Sequence, residues 1–179
     1  MAMKSDRHKR VVAPLGAQDL ERLALSYAGR YAATRAKLRA YLGRKLRERG
    51  WGGDGEPPVE RLVERFAALG YVDDRAFAAA RAEALGRRGY GARRVDQALR
   101  AAGIEEEDGA AARERAREEA WSSALRYAER RRIGPFAGAP GDRPARDKAL
   151  AAMLRAGHPL DLARRLVEAR PGEIPPADE

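Results

Sequence analysis

The chain contains no cysteine, which excludes disulfides, thiolate zinc sites and a thiol nucleophile, and suits a reducing compartment. Its two histidines, His8 and His158, stand far apart, one near the N-terminus and one just before Pro159, so the helical His-x-x-x-His zinc spacing is absent. No apolar run approaches the roughly 18 to 20 residues that span a bilayer. The opening MAMKSDRHKRVVAPLG is basic but lacks the apolar region of a secretory signal, and a soluble, cytoplasmic protein is expected. Aromatics make up only 6% of a chain that is 44% hydrophobic, so its apolar content is mostly alanine and leucine. No run of alternating β-branched residues is present. Thin, closely packed helices fit this composition, and sheets do not.

Catalytic signatures are missing as well. There is no GxxxxGK[ST] cradle, and Gly52-Gly53-Asp54-Gly55 has neither a lysine nor a hydroxyl at the required offset. Ser26, Ser122 and Ser123 have no evident base partner. No catalytic, cofactor or metal site is expected, and the chain does not read as an enzyme. What the sequence has in abundance is charge. Charged residues are 35% of the chain, with a net charge of +9 and a pI near 10.3, as in a partner of nucleic acid or of an acidic protein surface. Shallow apolar stripes on so charged a chain predict an elongated row of small helical units rather than one large core.

The most informative stretch is GYVDDRAFAAARAEALGRRGYGARRVDQALRAAGI, residues 70–104. Gly70 closes the preceding unit, and Tyr71 lies in the Gly-Tyr-Val-Asp-Asp turn that follows it. Asp73 is placed to cap a helix starting at Asp74, with Val72 and Phe77 flanking it as a hydrophobic staple. Gly89 should end that helix in a left-handed conformation, and Gly89-Tyr90-Gly91 should form a tight turn in which Gly91 also requires positive φ. A second helix follows, with Val95, Ala98, Leu99 and Ala102 on one face and Arg93, Gln97 and Arg100 on the other, ending at Gly103. Asp73 and Asp74 are read as capping residues rather than as a metal or acid/base pair. Tyr90 is read as packed over its turn, with stacking on a base as the alternative.

Elsewhere, helices are expected at Asp19–Ala33, Thr34–Arg49 and Val59–Leu69, the first two separated from the third by a flexible Trp51–Glu56 loop. The acid-rich stretch from Glu105 to Glu119 should break near Gly109. Residues 134–144 read as a loop, and Ala145–Ala156 with Leu160–Ala169 as a last hairpin. Helix-ending glycines recur at Gly50, Gly103 and Gly157, an interval of about 50 residues that signals tandem repeats. Four residues before them fall Leu46, Leu99 and Met153, and eight before them Leu42, Val95 and Ala149. Three before them fall Arg47, Arg100 and Leu154. The division expected is a basic flexible tail at 1–16, repeats at 17–70, 71–114 and 115–170, and an acidic flexible tail at 171–179.

GYVDDRAFA followed by RRGYGARRVDQALRAAGI resembles the central segment of the RecX family, regulatory proteins that modulate the RecA recombinase. The match rests on Gly70, Tyr71, Asp73, Asp74, Phe77, Gly89, Gly91, Leu99 and Gly103 at fixed spacings, and extends more weakly from Tyr27 to Ala169. The resemblance implies an all-α, elongated and curved array of tandem three-helix repeats. It also implies a partner, the RecA filament on DNA, whose ATPase, strand-exchange and co-protease activities would be inhibited in homologous recombination, DNA repair and the SOS response. A second reading is a monomeric helical protein that contacts phosphates of single- or double-stranded DNA without strong sequence specificity, since Gln97 is the main side chain able to read base edges. In both, the contact residues are Lys37, Arg44, Arg47, Arg93, Arg94 and Arg100, taken as outward-facing. Neither involves a membrane.

Overall fold

Glycines and short polar side chains set the helix ends in the computed structural model, which describes residues 13–177. Regular structure among these residues is helical: α1 Ala17–Ala28, α2 Arg35–Arg49, α3 Val59–Ala68, α4 Asp74–Arg87, α5 Ala92–Ala101, α6 Glu106–Glu118, α7 Ala120–Arg131, α8 Arg143–Arg155 and α9 Leu160–Glu168, with a short 3-10 turn at Gly134–Phe136. Thr34 caps α2 by accepting from the Lys37 amide at 3.1 Å, Asp73 caps α4 through the Ala76 amide at 2.8 Å, and Asp142 caps α8 through the Ala145 amide at 2.9 Å. Each side chain satisfies an amide that has no partner within the first turn. Gly50, Gly103 and Gly157 all have positive φ, at 79°, 72° and 95°. The repeat seen in the sequence is therefore a repeat of positive φ at the helix end, with the amides of Ile104 and His158 bonding back to Leu99 and Met153, while Gly50, at ψ 169°, leads into extended chain.

Three hydrophobic clusters follow, each drawn from three consecutive helices. The first joins Leu20, Leu38, Leu42, Val63 and Phe66, with Leu15 and Val72 at its ends. The second joins Ala78, Leu85, Val95, Leu99 and Ile104, with Phe77 packed against it. The third joins Ala124, Ala128, Met153, Ala163 and Leu166. Leu42, Val95, Leu99 and Met153, all inward positions of the repeat, are essentially inaccessible. Chain contacts divide the molecule into two compact units, 1–72 holding the first cluster and 73–179 holding the other two. Val72 and Phe77 each pack into the cluster of their own unit. Tyr71 is exposed, its ring 5.3 Å from that of Phe66.

Several expectations are corrected. Helix α1 ends at Ala28, not Ala33, because Ala33 and Thr34 are buried and the cap at Thr34 needs extended backbone (φ −99°, ψ 160°). The expected N-terminal tail ends in the core: Leu15 is fully buried, its amide donates to the Gly50 carbonyl and its carbonyl accepts from Gly52, both at 3.0 Å. This bridge also orders the start of the Trp51–Glu56 loop; residues 1–12 lie outside the described residues. Helix α6 runs unbroken through Gly109. A Cβ there would come within 2.8 Å of the Arg113 Cζ, so this glycine makes room for a buried arginine rather than ending a helix. The tail from Pro171 begins with a turn tied back by the Gly172 amide to the Pro135 carbonyl at 2.8 Å; residues 178–179 lie outside the described part.

Gly91 departs most instructively. Its φ is −78° and ψ 170°, ordinary extended backbone, and the left-handed residue of the turn is Gly89 at φ 74°. Gly91 needs to be glycine for its close approach to the Gly157 and His158 backbone, not for its own torsion angle.

Candidate functional site

The turn before α5 and the turn after α8 meet backbone to backbone. The Gly91 amide donates to the Ala156 carbonyl at 3.0 Å and the Arg93 amide to the Gly157 carbonyl at 3.3 Å. A Cβ on Gly91 would lie 2.8 Å from the His158 nitrogen, and one on Gly157 would lie 2.8 Å from the Arg94 Cβ. Two glycines thus let the second and third helical clusters join at main-chain distance. His158 locks the joint from beneath: it is fully buried, and its Nε2 donates to the Gly89 carbonyl at 3.0 Å. A carbonyl only accepts, so Nε2 carries the proton of the neutral ring. Burial lowers the pKa of His158 to about 4, against a smaller upward pull from the Gly89 hydrogen bond.

Above this joint opens a cleft of about 490 Å³ lined by Arg93, Arg94, Gln97, Arg100, Asp96 and, from the end of α8, Arg155. Four guanidiniums face one carboxylate. Asp96 is fully engaged: it accepts from Arg100 and, at 2.9 Å, from the Nε of Arg113. The Arg100 hydrogen bond, followed by the bond from Arg113, holds its carboxyl below the usual range in spite of partial desolvation. Arg113 is buried, and its Nη1 also donates to the Glu106 carbonyl at 3.1 Å. Arg94 is held by Gln97, whose Oε1 accepts at 2.9 Å, and by Tyr90, whose ring centroid is 6.0 Å away. The Arg88 guanidinium lies 5.2 Å from the same ring. Tyr90 is half-buried and packs against both clusters of its unit. It sits over its turn and helps orient Arg94.

The structure brings Arg93, Arg94 and Arg100 together and adds Arg155 and Asp96, which the sequence reading missed. Arg155 lies two residues before Gly157, whereas the same register holds Glu48 and Ala101 in the other repeats, so no repeat pattern marks it. Lys37, Arg44 and Arg47 belong to α2 in the first unit. Lys37 is half-buried rather than fully outward; Arg44 is exposed, 3.6 Å from Glu48 and 5.5 Å from the centroid of Tyr41; Arg47 is exposed. Among the described residues no group of three or more metal-ligating side chains occurs, and no helix is long and apolar enough to cross a membrane.

Residues 73–112 match the family model described as RecX, second three-helix domain. The chain is 34% identical over 163 residues to the regulatory protein RecX of Myxococcus xanthus, covering 85% of this chain and 86% of that one. It is 43% identical over 84 residues to the regulatory protein RecX of Thermus thermophilus, covering 47% of this chain and 56% of the relative. In three dimensions it is similar to the crystal structure of RecX from Lactobacillus salivarius, with a TM-score of 0.62 at 16% identity over 85% of this chain and 94% of that chain.

Proposed function

The chain belongs to the RecX family, and from that premise we propose that it regulates the RecA recombinase by binding its filament through basic helical faces, inhibiting ATP hydrolysis, strand exchange and co-protease activity. The observation that supports this most directly is the convergence of Arg93, Arg94, Arg100 and Arg155 in one cleft over a glycine-locked joint. Guanidiniums held on a rigid frame lose little freedom on binding and recognise carboxylate or phosphate bidentately. The three repeats, α1–α3, α4–α6 and α7–α9, act in tandem, with Lys37, Arg44 and Arg47 as the contact set of the first. The site is an interaction surface.

A second reading, direct binding to DNA phosphates, is favoured by the same charge. Sequence-specific reading is disfavoured by the cleft itself, because Gln97 is its one amide side chain and its oxygen already accepts from Arg94. The deciding experiment measures RecA-dependent ATP hydrolysis on single-stranded DNA against increasing protein, alongside binding to bare DNA over a salt series. Inhibition at or below one protein per RecA, with bare-DNA binding that fades at physiological salt, supports filament regulation. Tight DNA binding with an unaltered RecA reaction refutes it.

A further inference from the structure

A second cavity, of about 420 Å³, opens in the same unit between the end of α7, the start of α8 and the chain beyond α9. Its floor is aliphatic, formed by Ile133, Val167 and Ala149 among others, and its cationic groups are Arg131, Arg132, Arg146 and Lys148. No acidic side chain lines it. Asp142, close by in sequence, is committed to capping α8.

We propose that this cavity docks a segment of a partner protein that carries one large apolar side chain flanked by acidic residues. The apolar floor needs an apolar occupant, and four unopposed cations at the lining need carboxylates around it. A nucleobase is a poorer fit, because no aromatic ring lines the cavity for stacking and no Asn, Gln, Ser or Thr side chain is present to hydrogen-bond a base edge. A second observation bears on Arg132. It is the one non-glycine residue with positive φ among the described residues, at 53°, whereas the turns closing α3, α4, α5 and α8 use glycine at positive φ. An arginine is held there against its backbone preference, at a corner of the cavity. The site is independent of the basic cleft and of its proposed role with RecA.

The test uses the full chain and a fluorescent probe peptide, acetyl-EDESFDED-amide, compared with acetyl-EDESGDED-amide of equal charge. The apolar probe should bind about tenfold or more tightly than its Ser-Gly analogue. Arg146→Glu with Lys148→Glu, both exposed in the first turns of α8 where acids suit the helix dipole, should weaken it by about tenfold or more with unchanged circular dichroism. Ala149→Phe, which fills the floor and keeps every charge, should weaken it too. Arg132→Gly should weaken it while raising the melting temperature, so that loss of fold cannot account for the result. Equal affinity for the two peptides, or undiminished binding by the charge-reversed variant, overturns the proposal. So does displacement of the probe by oligodeoxythymidylate or phosphatidylglycerol vesicles at concentrations where the Ser-Gly peptide has no effect, since the cavity would then serve nucleic acid or a membrane surface.

Discussion

Gly91 and Gly157 face each other across two turns that are 66 residues apart in sequence, and neither has room for a side chain: a Cβ on Gly91 would lie 2.8 Å from the His158 nitrogen, and one on Gly157 would lie 2.8 Å from the Arg94 Cβ. The two glycines differ in backbone, extended at Gly91 and left-handed at Gly157. Close approach is the constraint they share.

That distinction gives the first prediction. Gly91→Val should cost about 1–3 kcal/mol or somewhat more by forcing the joint apart, although valine tolerates the φ of this position. Gly50→Ala offers the contrasting case, with nothing within 4 Å of the added carbon but a backbone at φ 79° and ψ 169° that side chains avoid, so it should cost only that conformational strain, about 1–3 kcal/mol. Urea denaturation followed by circular dichroism measures both. A Gly91→Val midpoint equal to that of the parent would show that the joint opens freely.

His158 predicts an acid dependence. Its folded pKa lies near 4, below the ordinary 6.5, so between these values the unfolded chain binds the extra proton and stability rises with pH. The stability is fully present above about pH 6.5, is lost progressively toward pH 4, and amounts to about 3 kcal/mol. His158→Gln, which retains a donor for the Gly89 carbonyl, should flatten this slope. Denaturation series at pH 7, 5.5 and 4.5 on both proteins make the comparison, and parallel losses would assign the acid sensitivity to other groups.

Asp96 stands between a buried arginine and an exposed one. Asp96→Ala leaves the Arg113 guanidinium, whose side chain is only 5% exposed, with the Glu106 carbonyl and an exposed Glu106 carboxylate 3.5 Å away as its remaining partners, and should cost about 2–3 kcal/mol. Adding Arg113→Met should recover most of the loss, because an apolar side chain of similar length then fills the space. If the double variant is no more stable than the single, the ion pair has no part in the cost.

The cleft itself is tested by Arg94→Glu with Arg155→Glu, two exposed side chains contributed by different repeats. Packing should be unaffected, while RecA inhibition or DNA binding weakens by about tenfold or more, and the salt slope falls by about 0.9 for each lost phosphate contact. Arg47→Glu with Arg100→Glu tests the contact set drawn from the sequence in the same assay. Full inhibition by a folded Arg94/Arg155 variant would move the working surface away from this cleft.

Most of the helical plan was legible in the sequence because it is written in local chemistry. Asp73 caps the helix it precedes, Gly50, Gly103 and Gly157 terminate helices at positive φ, and Leu42, Val95, Leu99 and Met153 fill the inward positions that their spacing assigned, while Thr34, read as the first residue of its helix, is its cap. The failures share a cause. Gly109 looked like a helix breaker and Gly91 like a left-handed turn residue, since a lone glycine in a sequence does not say whether it is needed for its own torsion angle or for a neighbour's volume.

The sequence by itself determined the helical class, most of the caps and helix-ending glycines, the repeat register and the basic charge, all of which depend on residues within a few turns of one another. Only the tertiary structure decided that the two turns interlock, that Arg155 joins Arg93, Arg94 and Arg100, and that Asp96 is spent on Arg113. Those relationships are set by main-chain hydrogen bonds between turns 66 residues apart, and by which side chains the buried volume leaves room for. No local pattern encodes either.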